Sequence, residues 1–129
     1  MSRKTSTTVN TSARAVPVAC ALGDRPLIND ETAERLQALF KVLANDGRLK
    51  LIHALERAGE LSVSELAETV AMTTQACSNQ LQRLVDQGIL APRRDGNHAH
   101  YRIVDPCVTG LLDLALCLTE ETQRRANAR

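Results

Sequence analysis

The sequence predicts a mainly α-helical domain with one small β-hairpin, and two observations indicate this. Aromatic residues make up only 2% of the 129 residues, whereas apolar residues make up 43%. A core built from Leu, Ala, Val and Ile favours helices over a β-sandwich or barrel, which depend on aromatic and β-branched side chains. Apolar residues also recur at helical spacing through most of the chain and alternate strictly only near residues 98–104.

The two ends of the chain have no sustained apolar period. Residues 1–28 are rich in Ser, Thr, Arg and Pro, and we expect them to form a flexible N-terminal arm that carries Cys20. Residues 122–129 are predicted to form a disordered basic tail. Residues 29–121 are therefore predicted to form a single folded domain of ordinary length.

Two helices are predicted at the start of this domain. Asn29 or Asp30 can cap the first helix, and Asp46 can cap the second. Gly59 suits the position that ends the second helix. Each helix has an apolar face whose residues recur every three or four positions: Leu36, Leu39, Phe40 and Leu43, then Leu51, Ile52, Leu55 and Ala58.

A short helix, a tight turn and a longer helix are predicted next. Ser62 and Glu65 have the spacing of a capping box, which opens the short helix. The dipeptide Ala71-Met72 predicts the turn, and Thr73 can cap the longer helix. Gly88 suits the left-handed position that follows the end of this helix.

A β-hairpin and a last helix complete the domain. Asp95-Gly96 is a strong hairpin-turn signal between the two short strands. Asp105-Pro106 is a typical helix start, and the last helix is predicted to run to about Glu121. This helix is apolar nearly all round, which exceeds what a helix covering one face of a small domain needs. We therefore expect it to pack against its own copy in a two-fold homodimer.

This order of elements is that of a winged helix-turn-helix, in which the second helix of the pair enters the major groove of DNA. Polar side chains off its apolar stripe can contact phosphates and base edges, and the hairpin supplies a positive wing. The net charge is only +1, so the prediction depends on where the charges lie and not on their sum. The predicted DNA-binding residues are Thr73, Thr74, Gln75, Ser78, Asn79, Gln80 and Arg83 on the helix and Arg93, Arg94, His98, His100 and Arg102 on the hairpin.

Four segments, in order, resemble motifs of the ArsR/SmtB family of winged-helix repressors. They are LANDGRLKLI at 43–52, ELSVSELA at 60–67, QACSNQLQRL at 75–84 and, for the wing, GIL at 88–90 with GNHAHYRI at 96–103. The resemblance implies a homodimer, formed through the first and last helices, that represses an inverted-repeat operator in double-stranded DNA and is released by an inducer. Gln80 stands where this family usually has His, a change expected to alter base preference.

The inducer sites common in this family are only partly present. By alignment, the family's usual thiolate positions are Ser62 and Ser64, and serine is a poor ligand for soft ions. The positions of its usual zinc site on the last helix are Asp105, Cys107, Leu118 and Glu121. One His is thus replaced by Cys and the other by Leu. The change toward sulfur favours a soft ion as inducer, mercury, cadmium, lead or arsenite, with no organic cofactor.

The spacing of the cysteines limits how they can bind such an ion. Cys107 and Cys117 are ten residues apart on one helix, about 15 Å along its axis. One ion cannot reach both within a chain, because metal–sulfur bonds are about 2.3 Å long. Our hypothesis is two symmetric sites, each formed by Cys107 and Cys20 with Cys117 of the other protomer. Cys77 lies on a buried stripe and is predicted to be a core residue.

Other functions are less well supported by the sequence. A redox- or persulfide-responsive repressor of the same fold, which joins its cysteines by a disulfide or polysulfide link, is the alternative. Paired catalytic carboxylates, a nucleophile elbow and a P-loop are absent from the sequence, so an enzyme is not expected. No apolar run approaches the roughly 18–20 residues of a membrane span, and the N-terminus lacks the apolar centre of a signal peptide. We therefore expect a cytoplasmic protein with no membrane partner.

Overall fold

A computed structural model describes residues 21–128, which divide into one compact unit that ends at Asp105 and a second that begins at Pro106. The first unit contains a helix-turn-helix and a small sheet, and the second contains a single helix. The elements of the first unit are α1 (Asp30–Leu43), α2 (Asp46–Ala58), β1 (Leu61–Ser62), α3 (Val63–Thr69), α4 (Thr74–Asp86), β2 (Leu90–Asp95) and β3 (His98–Ile103). The helix of the second unit is α5 (Pro106–Asn127). The mainly α-helical fold with a hairpin is confirmed.

Side-chain caps define where the first two helices begin. The side chain of Asn29 accepts a hydrogen bond of 2.8 Å from the backbone N–H of Thr32, which confirms the predicted cap of α1. The cap of α2 is Asn45, which accepts from the N–H of Arg48 at 3.0 Å. The prediction of Asp46 as this cap was wrong by one residue. Asn45 has the extended backbone that a cap requires, and Asp46 lies in the first turn, where its carboxylate interacts favourably with the helix dipole.

The core of the first unit is made by α2, α3, α4 and the strands. Its largest side chains are each less than 2% exposed: Leu51, Ile52, Leu55, Leu66, Cys77, Leu81, Leu84 and Ile89. The inward face predicted for α2 is therefore confirmed for its three large apolar residues, and the placement of Cys77 in the core is also confirmed. Ala58, predicted to face inward, is exposed at the end of α2.

The apolar face of α1 is only partly covered. Leu43, at its end, is 5% exposed, whereas Leu36 is 40% exposed and Phe40 is 50% exposed. A large aromatic side chain left half exposed on a regular helix marks an apolar surface that this unit does not bury.

The three strands form an antiparallel sheet in the order β1–β3–β2. The predicted hairpin is confirmed, with Gly96 in the left-handed region at its turn. The two-residue strand β1 adds to the edge of the hairpin, where Leu61 pairs with Tyr101 and Ser62 with His100. Strand β1 was not predicted, because two residues cannot display an alternating pattern.

The last helix, α5, is longer than predicted. It continues to Asn127, so residues 122–127 are helical where a disordered tail was expected. Glu121 forms ion pairs with Arg124 at 3.0 Å and with Arg125 at 3.6 Å. These arginines lie three and four residues after Glu121, and ion pairs at those spacings stabilise a helix. Within α5, residues 113–120 are all exposed. Three large apolar side chains are among them: Leu114 at 67%, Leu116 at 56% and Leu118 at 63%. None of the helices described is long and apolar enough to cross a membrane.

Candidate nucleic-acid interface

Both helices of the helix-turn-helix, α3 and α4, begin at side-chain caps. Ser62 accepts from the N–H of Glu65 at 3.2 Å, and the Glu65 carboxylate accepts from the N–H of Ser62 at 2.8 Å, which confirms the capping box. Hydrogen bonds with Ser62 lower the pKa of Glu65, and the bond from the Ser62 backbone N–H has the largest effect. The turn places Ala71 in the left-handed region with φ 59°. Thr73 caps α4 as predicted, by accepting from the N–H of Ala76 at 3.1 Å.

The exposed face of α4 is polar. Cys77, Leu81 and Leu84 bury the opposite face at helical spacing. The predicted DNA-binding residues on the exposed face are Thr73, Thr74, Gln75, Ser78, Asn79 and Arg83. The amide of Gln75 donates to the side-chain oxygen of Asn79 at 3.2 Å, so these two side chains lie side by side one turn apart. The first turn has no acidic residue, which leaves the positive end of the helix dipole able to receive a phosphate.

Gln80 is placed differently from the other predicted contacts on α4. It is half-buried, and its side-chain oxygen accepts a hydrogen bond from a guanidinium nitrogen of Arg48 in α2. Arg48 itself is only 8% exposed. Sequence reasoning did not single out Arg48, because a lone basic residue on an amphipathic helix is ordinarily solvated.

The wing divides its basic residues between two faces. Paired residues on adjacent strands share a face, so Arg93 lies on the same face as its partner His100, and Arg102 lies there with Ala91. The pair of His98 with Asp95 places it on this face as well. Arg94 pairs with Ala99 and projects from the opposite face. The hairpin therefore does not present its predicted contacts as one continuous cluster.

Arg93 forms a surface ion pair with an acidic residue that sequence reasoning missed. The guanidinium of Arg93 donates from Nε to both carboxylate oxygens of Glu60, at 3.3 and 3.1 Å, and from Nη2 to Oε1 at 2.7 Å. This hydrogen bonding is the largest cause of a lowered pKa of Glu60, and the positive charges of Arg93, His100 and Arg102 lower it further. The same carboxylate raises the pKa of Arg93. The ion pair fastens β2 to the residue that precedes β1.

The other arginines of the helix and wing are exposed as well. They are Arg83 on α4, Arg94 near the hairpin turn and Arg102 in β3. Exposed guanidinium groups can bind phosphates, and the amides and hydroxyls of α4 can bind base edges. The chemistry of this surface is therefore suited to double-stranded DNA.

The cysteines lie on different elements. Cys77 is fully buried in α4, and burial raises its pKa. Cys107 and Cys117 are both exposed on α5, and Cys20 lies outside the described residues. Among residues 21–128, the structure has no cluster of three or more His, Cys, Asp or Glu side chains that could hold a metal ion. The predicted set of Cys20, Cys107 and Cys117 includes a residue outside this range and a cysteine from a second protomer, so it stays a prediction.

Known proteins resemble this chain in sequence. A family model described as the MarR family matches residues 45–99, which run from the cap of α2 into β3 and include the helix-turn-helix. A probable mercury resistance operon repressor of Streptomyces lividans is 34% identical over 107 residues, which are 83% of this chain and 82% of the relative.

Two solved structures resemble it in fold. The AntR antimony-specific transcriptional repressor has 55% sequence identity and a TM-score of 0.72, and the match covers 82% of this chain and 99% of AntR. A homodimeric winged helix-turn-helix domain from Mycobacterium bovis, described as a possible ArsR-family regulator, has 28% identity and a TM-score of 0.67. That match covers 78% of this chain and 95% of the domain.

Proposed function

This chain belongs to the ArsR/SmtB family of winged-helix transcriptional repressors, and from that premise we propose that it binds an inverted-repeat operator as a homodimer and leaves it when a thiophilic ion binds. The observation that carries the proposal is the polar exposed face of α4 beside a wing with exposed cations, in the fold of known repressors. In this mode α4 lies in the major groove and the wing lies against the backbone or the minor groove.

Two exposed apolar surfaces support the homodimer. One is on α1, where Leu36 and Phe40 are exposed, and the other is on α5, where Leu114 and Leu118 lie one turn apart. When a partner covers such exposed apolar side chains, the burial stabilises the complex by about 25 cal/mol per Å² of apolar surface removed from water. A second copy of the chain covers them with two-fold symmetry, which holds two α4 helices at the spacing of two half-sites, about 34 Å.

The thiol chemistry of α5 supports a thiophilic inducer. Cys107 and Cys117 are exposed, and serine occupies the positions of the family's common thiolate site. Mercury and antimony are named in the descriptions of two relatives that each match more than four fifths of this chain. Both prefer sulfur ligands. The 55% identity to AntR favours trivalent antimony, with its chemical neighbour arsenite, over mercury, cadmium or lead.

We propose that each ion binds between protomers. Cys107 of one protomer and Cys117 of the other supply two thiolates, and Cys20 of the N-terminal arm supplies the third. Cys107 lies in the first turn of α5 and is exposed, so an ion can reach its sulfur. An ion held in this way changes the angle between the protomers, and hence the distance between their α4 helices. A 100-fold loss of operator affinity requires about 2.7 kcal/mol of coupling between the two sites.

A DNA-release assay with a panel of ions tests this function. An operator is selected from random-sequence DNA by the wild-type dimer, and its binding is followed by fluorescence anisotropy. Antimonite, arsenite, Hg(II), Cd(II) and Pb(II) are then titrated into the complexes of wild type and of the four single Cys→Ser variants. Antimonite is expected to release the wild type, and the Cys107→Ser variant is expected to stay bound at tenfold higher antimonite. Cys77→Ser is the matched control and should respond like the wild type.

Two results would contradict the proposal. If no ion releases the DNA while polysulfide or peroxide does, the chain is a redox- or persulfide-responsive repressor. If Cys77→Ser abolishes release and Cys107→Ser does not, the ion binds elsewhere.

A further inference from the structure

Arg48 is the one charged residue among the buried side chains of residues 21–128. It lies in the first turn of α2, and its guanidinium donates hydrogen bonds to residues of two other helices. Nε donates to the backbone carbonyl of Val42, Nη2 donates to the carbonyl of Lys41 at 3.5 Å, and Nη1 donates to the side-chain oxygen of Gln80. The two carbonyls belong to the last turn of α1, and Gln80 belongs to α4. One buried cation thus joins the end of α1 to the centre of α4.

The hydrogen bond to Arg48 limits what Gln80 can do at a DNA base. A glutamine reads adenine by using its oxygen and its NH2 group together. In this structure the oxygen is already bound to Arg48. If Gln80 turned to read a base, the buried guanidinium would lose its side-chain acceptor, and an unsatisfied buried cation is costly.

The surroundings of Arg48 increase its dependence on Gln80. Burial, and then the positive charge of Arg83 nearby, lower the pKa of Arg48. The three oxygens that accept hydrogen bonds from its guanidinium are all neutral, so no carboxylate among them offsets the charge. The oxygen of Gln80 is the one acceptor of the three that a side-chain substitution can remove. Its hydrogen bond is therefore suited to fixing α4 against α1.

We infer that Arg48 and Gln80 are positioning residues that set the orientation of α4, and that Gln80 does not read a base. The inference rests on the proposed function, because α4 is there the helix that reads the operator. It also gives a route from the dimer surface to the operator. Phe40 is exposed one turn before the end of α1, so a shift of α1 against a partner moves the carbonyls that hold Arg48, and with them Gln80.

The test separates positioning from base reading by its pattern across operators. Binding is measured for the selected operator and for a set in which each base pair of a half-site is changed in turn. Gln80→Met, which keeps the length of the side chain but removes the acceptor, is expected to weaken binding to every operator by the same factor, about tenfold. Arg48→Met should give the same uniform loss. The double variant should bind no more than twofold less tightly than the weaker single variant, because both changes break one link.

Two further variants control for structure and for base contact. Gln80→His restores the residue usual in the family and retains a nitrogen acceptor, so it is expected to bind within twofold of wild type. Asn79→Ala removes an exposed side chain on the same helix and is expected to change the preference at one base pair. Thermal unfolding without DNA establishes the temperature at which all variants are folded, so that a loss of stability is not read as a loss of affinity.

Two outcomes overturn the inference. One is that Gln80→Met loses preference at a single base pair and binds other operators normally, which means that Gln80 reads that base. The other is that the losses of the two single variants add in the double variant. A wild-type chain that binds no selected DNA contradicts the proposed function instead. In that case the guanidinium ¹⁵N–¹H NMR signals of Arg48 in the free protein test the hydrogen bond between Arg48 and Gln80. They should shift in Gln80→Met, and unchanged signals would refute the hydrogen bond.

Discussion

Arg93 and Arg94 are neighbours in β2 with different surroundings, so their replacement by Ala should have different effects on DNA binding. Arg93 gives three hydrogen bonds to the Glu60 carboxylate. Arg94 is exposed on the opposite face of the hairpin, with Ala99 as its strand partner. We predict that Arg94 contacts a phosphate and that Arg93 mainly holds the wing in place.

The dependence of affinity on salt gives the size of the difference. Each phosphate contact contributes about 0.9 to the slope of log K against log salt concentration. A two-fold dimer presents each residue twice, so loss of one phosphate contact in each protomer lowers the slope by about 1.8. Arg94→Ala is expected to show this change. Arg93→Ala is expected to change the slope by well under half as much, because its charge is largely matched by Glu60.

The assay is fluorescence anisotropy on the selected operator at salt concentrations from about 50 to 200 mM. Glu60→Gln is the matched control: it leaves Arg93 in place but weakens its internal partner, so the slope should stay the same or become steeper. If Arg93→Ala lowers the slope as much as Arg94→Ala does, the assignment of the two arginines to different roles is refuted.

Three further predictions concern stability and reactivity. Ser62→Ala removes the capping box and should lower the free energy of unfolding by about 1 kcal/mol, whereas Ser64→Ala, at an exposed neighbour, should change it by under about 0.5 kcal/mol in chemical denaturation. Because burial raises the pKa of Cys77, its thiol should react with iodoacetamide far more slowly than Cys107, and equal rates by mass spectrometry would contradict the buried position. The guanidinium bound to Glu60 lowers the pKa of that carboxyl, so the stabilisation is complete above the ordinary pKa of about 4.3 and is lost as pH falls through the lowered value. The difference in melting temperature between wild type and Glu60→Gln should therefore shrink at acid pH, and a constant difference would show that the ion pair does not stabilise the fold.

Local signals in the sequence predicted most of the fold. The capping box at Ser62, the cap at Thr73, and the glycines at 88 and 96 each act within a few residues, and the structure contains all four where they were predicted. The buried stripe of α4 was predicted from its period, which is also a local property. Together these features were enough to identify a winged helix-turn-helix.

Contacts between distant residues could not be predicted in this way. Glu60 and Arg93 are 33 residues apart, and Arg48 and Gln80 are 32 apart. Their pairing depends on the register of the sheet and on how the helices pack, neither of which leaves a periodic signal. Gln80 was consequently assigned to the exposed face of α4. The predicted end of α5 was also too early. The residues after Glu121 are polar and have no apolar period, so they were predicted to be a disordered tail, although Arg124 and Arg125 form ion pairs with Glu121 along the helix.

A mixed dimer tests the proposed sensor site most directly. One protomer carries Cys107→Ser and the other carries Cys117→Ser, so an arrangement in which each ion bridges the protomers leaves one complete pair of cysteines and destroys the other. The mixed dimer is predicted to bind one antimonite ion and to release the operator, while neither homodimeric variant does. If the mixed dimer is as unresponsive as its two parents, the ion does not bridge Cys107 and Cys117 of different protomers.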